Sequence, residues 1–184
     1  MNTVALTFDD GPHPDSTPAL LDALTRAGVR ATFFVCGEQV LRHPELLLAL
    51  HEAGMWLGNH SHTHPHLPGL DDQALRHEIQ LPQQLLHEMT GNYPTLFRPP
   101  YCDTDTRVRD AAAALGLTEV LCTTDTRDWA GADAESIVRA AQDERPGGIV
   151  LMHDHGRRTT VEAVPHLLAA WAERGLRPGP VPPR

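Results

Sequence analysis

No stretch of the 184-residue sequence is apolar for long enough, about 18 residues, to suggest a membrane-spanning helix. A basic stripe is also missing. The formal net charge is −9 with histidine neutral, and Arg157-Arg158, the only basic doublet, reads as a solvated loop pair. Phosphate binding wants clustered cations, so nucleic acid is not an expected partner. Cysteine is scarce. Cys36, Cys102 and Cys122 make an odd number without a spacing pattern, which does not form a disulfide framework and fits a reduced compartment. The first apolar run starts by residue 3, so no leader is expected. The expectation is therefore a cytoplasmic protein, with secretion requiring a leader already trimmed away. What is present, 41% hydrophobic and 21% charged residues, fits one globular domain, expected to be a monomer. Twelve histidines are many for this length, and six of them fall within 60–66 and 153–155.

Short apolar runs alternate with amphipathic stretches. Strands are expected at 3–8, 31–35, 55–59, 96–98, 119–123 and 148–152. Between them, Ser16 is placed to cap a helix ending at Gly28, and Pro44 opens another closed by Gly54. A long helix from Asp71 or Asp72 to Met89 carries Pro82, expected to kink it. Helices are also expected from Thr104 or Asp105 to Leu115, over 133–142 and over 160–174. The tail, Arg177 to Arg184, holds four prolines and is expected to be extended or loose, which sets the domain at 1–176. Repeated strand-then-helix units imply a parallel sheet with outer helices, closed or incompletely closed as a (β/α) barrel. The strand ends of such a barrel share the face where active sites collect. Asp9, Asp10, His60, His64, Arg98, Tyr101, Asp128 and His153 all follow strands and would converge there.

Two of these clusters carry chemistry. Asp9-Asp10 ends an apolar run and meets Gly11-Pro12 at once. Alone, such a doublet is most often a turn. His60-Ser61-His62-Thr63-His64 supplies imidazoles four apart, a spacing that His62 and His66 share. Two imidazoles and one carboxylate suit a divalent ion, and the second carboxylate is then placed to act as a general base.

In order along the chain stand Thr7-Phe8-Asp9-Asp10-Gly11-Pro12, His60-Ser61-His62-Thr63-His64, Arg98-Pro99-Pro100-Tyr101, Asp125-Thr126-Arg127-Asp128-Trp129 and Leu151-Met152-His153-Asp154. This set resembles the polysaccharide deacetylase family, the NodB-homology domain of carbohydrate esterase family 4. The resemblance implies a distorted (β/α) barrel with fewer than eight units. It also implies metal-dependent hydrolysis of acetyl groups on N-acetylated sugars such as chitin oligomers and peptidoglycan, or on O-acetylated xylan. Carried over, it makes Asp10, His60 and His64 the ligands of one divalent metal, zinc first and cobalt or nickel next. Asp9 becomes the general base, oriented by Arg98. The Tyr101 N–H becomes an oxyanion donor and His153 the general acid, with Asp128 orienting it. Trp129 and Leu151 become apolar walls for the acetyl methyl. His62 and His66 are left as loop or supporting residues, and Asp154 as a loop anchor.

The chain departs from the family pattern at Cys102, where glycine is usual. With no leader expected, this keeps a second reading open, an intracellular N-deacylase of a small biosynthetic intermediate. An iron-dependent oxygenase shares the two-histidine, one-carboxylate ligand set but has no use for Asp9 and His153 as a base and acid. A non-catalytic sugar-binding module would be expected to lack one of the catalytic candidates, and all are present.

Overall fold

The computed structural model describes residues 2–182. Its strands are β1 (Thr3–Asp9), β2 (Thr32–Val35), β3 (Trp56–Asn59), β4 (Leu96–Phe97), β5 (Thr118–Glu119), β6 (Thr124–Asp125), β7 (Ile149–His153) and β8 (Arg177–Pro178). The helices are α1 (Thr17–Arg26), α2 (Gly37–Arg42), α3 (Pro44–Glu52), α4 (Asp72–Thr90), α5 (Thr106–Ala114), α6 (Ala134–Ala141) and α7 (Arg158–Glu173). The sheet order is β5-β4-β3-β2-β1-β7-β6, with β8 on β1, and every pairing is parallel. This is the incomplete barrel expected from the alternating pattern.

β1 shows why the barrel forms. Side chains alternate across a strand. Val4, Leu6 and Phe8 enter the main core, with Leu20 and Leu24 of α1, Leu47 and Leu50 of α3 and Trp171 of α7. Ala5 faces the other way, into the barrel, against Phe34, Val120, Ile149 and Val181. Thr7 and Asp9 share the inward face of Ala5, so it turns polar toward its C-terminal end. The interior is narrow at β3. A Cβ on Gly58 would stand 2.5 Å from the Phe34 ring, so only glycine leaves that ring its place.

The expected strand 119–123 is a correction. It divides into β5, which pairs with β4, and β6, which pairs with β7, at opposite edges of the sheet. Val120–Thr123 cross the gap between those edges. The Val120 N–H donates to the Phe97 carbonyl (2.8 Å) and the Thr123 N–H to the Ile149 carbonyl (2.9 Å). Apolar content alone cannot show that one run serves two edges.

Three smaller differences have local causes. The short helix α2 was not anticipated, because its N-cap is Cys36, which supplies no capping oxygen. It stops at His43, whose φ of −135° and ψ of 57° lie outside the helical region that the following Pro44 disfavours. Ser16 precedes α1 but makes no side-chain cap. Its hydroxyl donates instead to Asp154 Oδ1 (2.6 Å), while Thr17 donates to Oδ2 (2.6 Å). Buried Asp154 thus anchors the start of α1, as a loop anchor should, and its own N–H donates to the Asp9 carbonyl (2.7 Å). The tail, finally, is extended but not loose at its start. Arg177 and Pro178 register with Thr3 and Val4, and Val181 is buried inside the barrel.

α4 runs unbroken through Pro82 from an Asp71 cap to Gly91, which is left-handed at φ 75°. Asp105 and Asp133 cap α5 and α6 in the same way.

Candidate active site

The C-terminal ends of the strands form the site. Asp9 is the last residue of β1 and His153 the last of β7, and the register places the two opposite each other. Asp10 follows in the left-handed region at φ 75°, which breaks strand alternation and brings a second carboxylate to the same cavity. Among the described residues, the other non-glycine ones at positive φ are Ser61, His64, Tyr101, Cys102 and Arg127, all in loops at this rim. Such conformations cost about 1–3 kcal/mol each and gather at functional sites.

His60 and His64 both turn Nε2 toward Asp10 Oδ1, at 3.3 and 3.2 Å. One ligand atom from each of the three residues lies within 4.8 Å of the others. Asp10 Oδ1 is buried yet has no hydrogen-bond partner, an orphaned anionic acceptor facing two nitrogens. His60 Nδ1 lies 2.7 Å from the Arg98 carbonyl, which can only accept, so the ring donates there and keeps the Nε2 lone pair free. These donors fit a divalent cation. Burial pushes the Asp10 carboxyl up, but the two imidazoles facing it, His60 and His64, outweigh this and hold it far below the usual range. Spacing left two histidine pairs equivalent, and the fold separates them. His62 turns toward His77, with ring centroids 6.4 Å apart. His66 stacks on Tyr101 (4.1 Å) and pairs with Asp103 (2.9 Å).

Arg98 is fully buried and binds Asp9 Oδ1 at 2.8 Å through Nη1. The same nitrogen donates to the Thr7 hydroxyl (2.7 Å), and Nε donates to the Val120 carbonyl (3.2 Å). Its guanidinium carbon lies 4.3 Å from the centre of the Phe34 ring. Asp9 is thereby held in one orientation, with Oδ2 3.6 Å from His60 Nε2.

Across the cavity, His153 Nδ1 bonds Asp128 Oδ1 at 2.7 Å. Asp128 is fully buried and satisfied. It accepts the His153 N–H (2.8 Å), the Thr160 hydroxyl (2.6 Å) and the Trp129 N–H (2.9 Å). Burial lowers the proton affinity of His153, but the hydrogen bond and charge of Asp128 more than offset this and raise its pKa to about 9. Tyr101 and Trp129 are exposed, the first beside His64 and the second beside Asp128. Leu151 is buried on the inward face of β7, one layer below His153.

Every residue of the sequence-derived site thus lies at this rim or directly beneath it. Sequence reasoning missed the supports. Glu78 of α4 accepts the His62 and Thr63 N–H groups (2.9 and 2.8 Å) and the Thr63 hydroxyl (2.8 Å), pinning the histidine loop. Asn59 Oδ1 accepts the Ser61 N–H (2.9 Å). A signal for Glu78 existed, because it shares the buried face of α4 with Leu75, Ile79 and Pro82. A carboxylate on an apolar stripe needs partners.

A sequence profile for polysaccharide deacetylases matches residues 1–120. The peptidoglycan-N-acetylglucosamine deacetylase PgdA of Listeria monocytogenes is 39% identical over 160 residues, 85% of this chain but 33% of that protein. The chain therefore spans about a third of that relative. The chitooligosaccharide deacetylase of Azorhizobium caulinodans is 30% identical over 98% of this chain and 93% of its own length. A family 4 carbohydrate esterase from Streptomyces lividans, solved in complex with acetate, superposes with a TM-score of 0.94 at 40% identity, covering 98% of this chain and 93% of that one. With profile, relatives and fold in agreement, the chain belongs to the polysaccharide deacetylase family, the NodB-homology domain of carbohydrate esterase family 4.

Proposed function

We propose that this chain is a metal-dependent hydrolase that removes acetyl groups from N-acetylated amino sugars within oligo- or polysaccharides, with O-acetylated xylan as the related ester substrate. The observation that carries this reading is the pairing of Asp9 with His153 at the edge of the Asp10, His60 and His64 cluster. The names of its relatives, which include peptidoglycan, chitooligosaccharide and xylan deacetylases, support the substrate class.

Asp10, His60 and His64 would hold the ion, and two nitrogens with one oxygen suit zinc first, with cobalt or nickel as the other choices. Held there, an ion would supply Lewis acidity for a water and for the acyl oxygen. Asp9, paired with Arg98 and aimed by it, takes the proton from the attacking water. The Tyr101 N–H faces the charge that develops on the acyl oxygen, while the neighbouring Cys102 and Asp103 N–H groups are engaged with the Pro99 and Pro100 carbonyls. His153 carries a proton on Nε2 and delivers it to the leaving nitrogen or oxygen. Asp128 holds Nδ1 and favours the imidazolium. The exposed rings of Tyr101 and Trp129 offer apolar faces to the sugar.

The test is acetate release from chitin oligomers, peptidoglycan fragments, acetylated xylan and a small N-acetyl metabolite, with bound metal quantified and with EDTA as control. Release from a carbohydrate that stops with EDTA and returns with zinc is expected. No release from any carbohydrate by metal-loaded protein overturns the reading. Release from the small metabolite alone replaces the substrate class.

A further inference from the structure

His66 stands two residues after His64 and reaches across to the loop that follows β4. Its ring lies parallel to that of Tyr101, with centroids 4.1 Å and planes 13° apart. Its Nδ1–H donates to Asp103 Oδ2 (2.9 Å), since the carboxylate can only accept. These two partners flank Cys102, so one imidazole bridges both ends of the Tyr101-Cys102-Asp103 turn. The Tyr101 ring also meets the His64 ring edge-on, at 4.5 Å. His64, Tyr101, His66 and Asp103 thus form one chain of contacts from the ligand cluster to the turn.

The turn needs a hold of this kind. Tyr101 and Cys102 are consecutive left-handed residues, at φ 59° and 53°, and the second stands where the family usually has glycine. Such residues persist only where the surroundings over-determine them. Within the turn, the Cys102 N–H donates to the Pro99 carbonyl (3.1 Å) and the Asp103 N–H to the Pro100 carbonyl (3.0 Å). Those bonds fix the shape of the turn but not its distance from the histidine loop. Side chains that cross between the two loops set that distance. Arg107 Nη2 donates to the Leu70 carbonyl (2.7 Å), which docks the start of α5 on the chain after the histidines. His66 carries the crossing at the turn itself.

We propose that His66, held by Asp103, is a positioning residue that keeps the Tyr101 N–H in register with the loop carrying His64. The role rests on the deacetylase reading, because it acts through the oxyanion donor of that reaction. Charge on the acyl oxygen develops between the Asp10, His60 and His64 cluster and this N–H, so their separation must be fixed. A misplacement of about 1 Å can cost about hundredfold in rate. The His66–Asp103 pair is exposed, and such pairs add little to global stability. Its consequence is therefore local, in turnover and not in folding.

Tyrosine labelling reads the turn directly. The chain has two tyrosines, so isotopically labelled tyrosine gives two amide signals. Tyr93, stacked on His87 before β4, is the internal control. In the zinc-loaded protein, His66→Ala and Asp103→Ala should lower the heteronuclear NOE of Tyr101 and leave that of Tyr93 unchanged. The kcat for acetate release should fall about tenfold to hundredfold, with KM, bound zinc and the urea midpoint little changed, because the lost contact serves the transition state. His66→Phe, which keeps the stack without the hydrogen bond, should recover part of kcat. The double variant should be no worse than His66→Ala, since the two residues act as one unit. The proposal is overturned if the Tyr101 NOE is unchanged, if it falls while kcat does not, if the variants lose zinc, or if the two losses add. A parent protein that releases no acetate ends the deacetylase reading, and the Tyr101 signal then still decides whether His66 holds the turn.

Discussion

Asp9 and Asp10 are neighbours in sequence, yet one left-handed residue gives them different partners. Asp9 faces Arg98, and Asp10 faces two imidazoles. Asp9→Asn should therefore abolish acetate release while metal content, measured by elemental analysis, stays near one ion per chain. His60→Ala should lose both. Equal metal content and equal activity in the two variants would refute the division of roles. Asp128 sets a second expectation. The folded pKa of His153, about 9, lies above the unfolded value of 6.5. The stabilisation from this pair is full below the unfolded value and is lost as pH rises through about 9. If His153 is the general acid, kcat/KM should fall on the alkaline side near the same pH. Asp128→Asn should move that limb to lower pH and cut activity, as a pH–rate profile of both proteins would show. At this scale the sequence was highly legible, because Asp-Asp, the histidine loop and His153-Asp154 keep their chemistry in the fold. The choice between His60/His64 and His62/His66 was not legible from spacing. It depends on where Ser61 and His64 turn left-handed.

At the scale of elements, the histidine loop is held from outside by α4. Glu78 accepts three hydrogen bonds from it, and Asn59 fixes its first turn. Neither touches the ligand cluster, so their effect passes through the position of His64. Glu78→Ala should weaken metal binding by about 10–100-fold, the range for lost supporting contacts, as measured by titration with zinc. Glu78→Gln should recover part of the loss, because an amide oxygen can still accept. Unchanged affinity in Glu78→Ala would show that the loop holds its shape unaided. Helix boundaries were readable where a side-chain cap marks them, as at Asp71, Asp105 and Asp133. They were obscured where the would-be cap serves another purpose, as Ser16 does on Asp154. The division of 119–123 into two strands was hidden, since the information lies in the far sheet edges and not in the run itself.

At the scale of the molecule, the barrel interior passes from apolar at its base to charged at its mouth. Ala5, Ile149, Phe34 and Val120 form the base layer, and Val181, brought in by the C-terminal segment, packs among them. Val181→Ala should cost about 2 kcal/mol of unfolding free energy, from two lost methyl groups and the void they leave, read as a lower midpoint in urea. Catalytic constants should be little changed. A midpoint equal to the parent's would mean that the segment does not contribute to the core. The proline-rich composition suggested an extended or loose tail, and composition could not reveal that β1 has an open rung for it. That rung has another consequence. The Arg177 N–H donates to the Asn2 carbonyl, so entry and exit of the fold lie together at the base, with the catalytic mouth at the far end of β1. A cassette with its two leads side by side can be spliced into a host protein or rewired head to tail without disturbing the cleft.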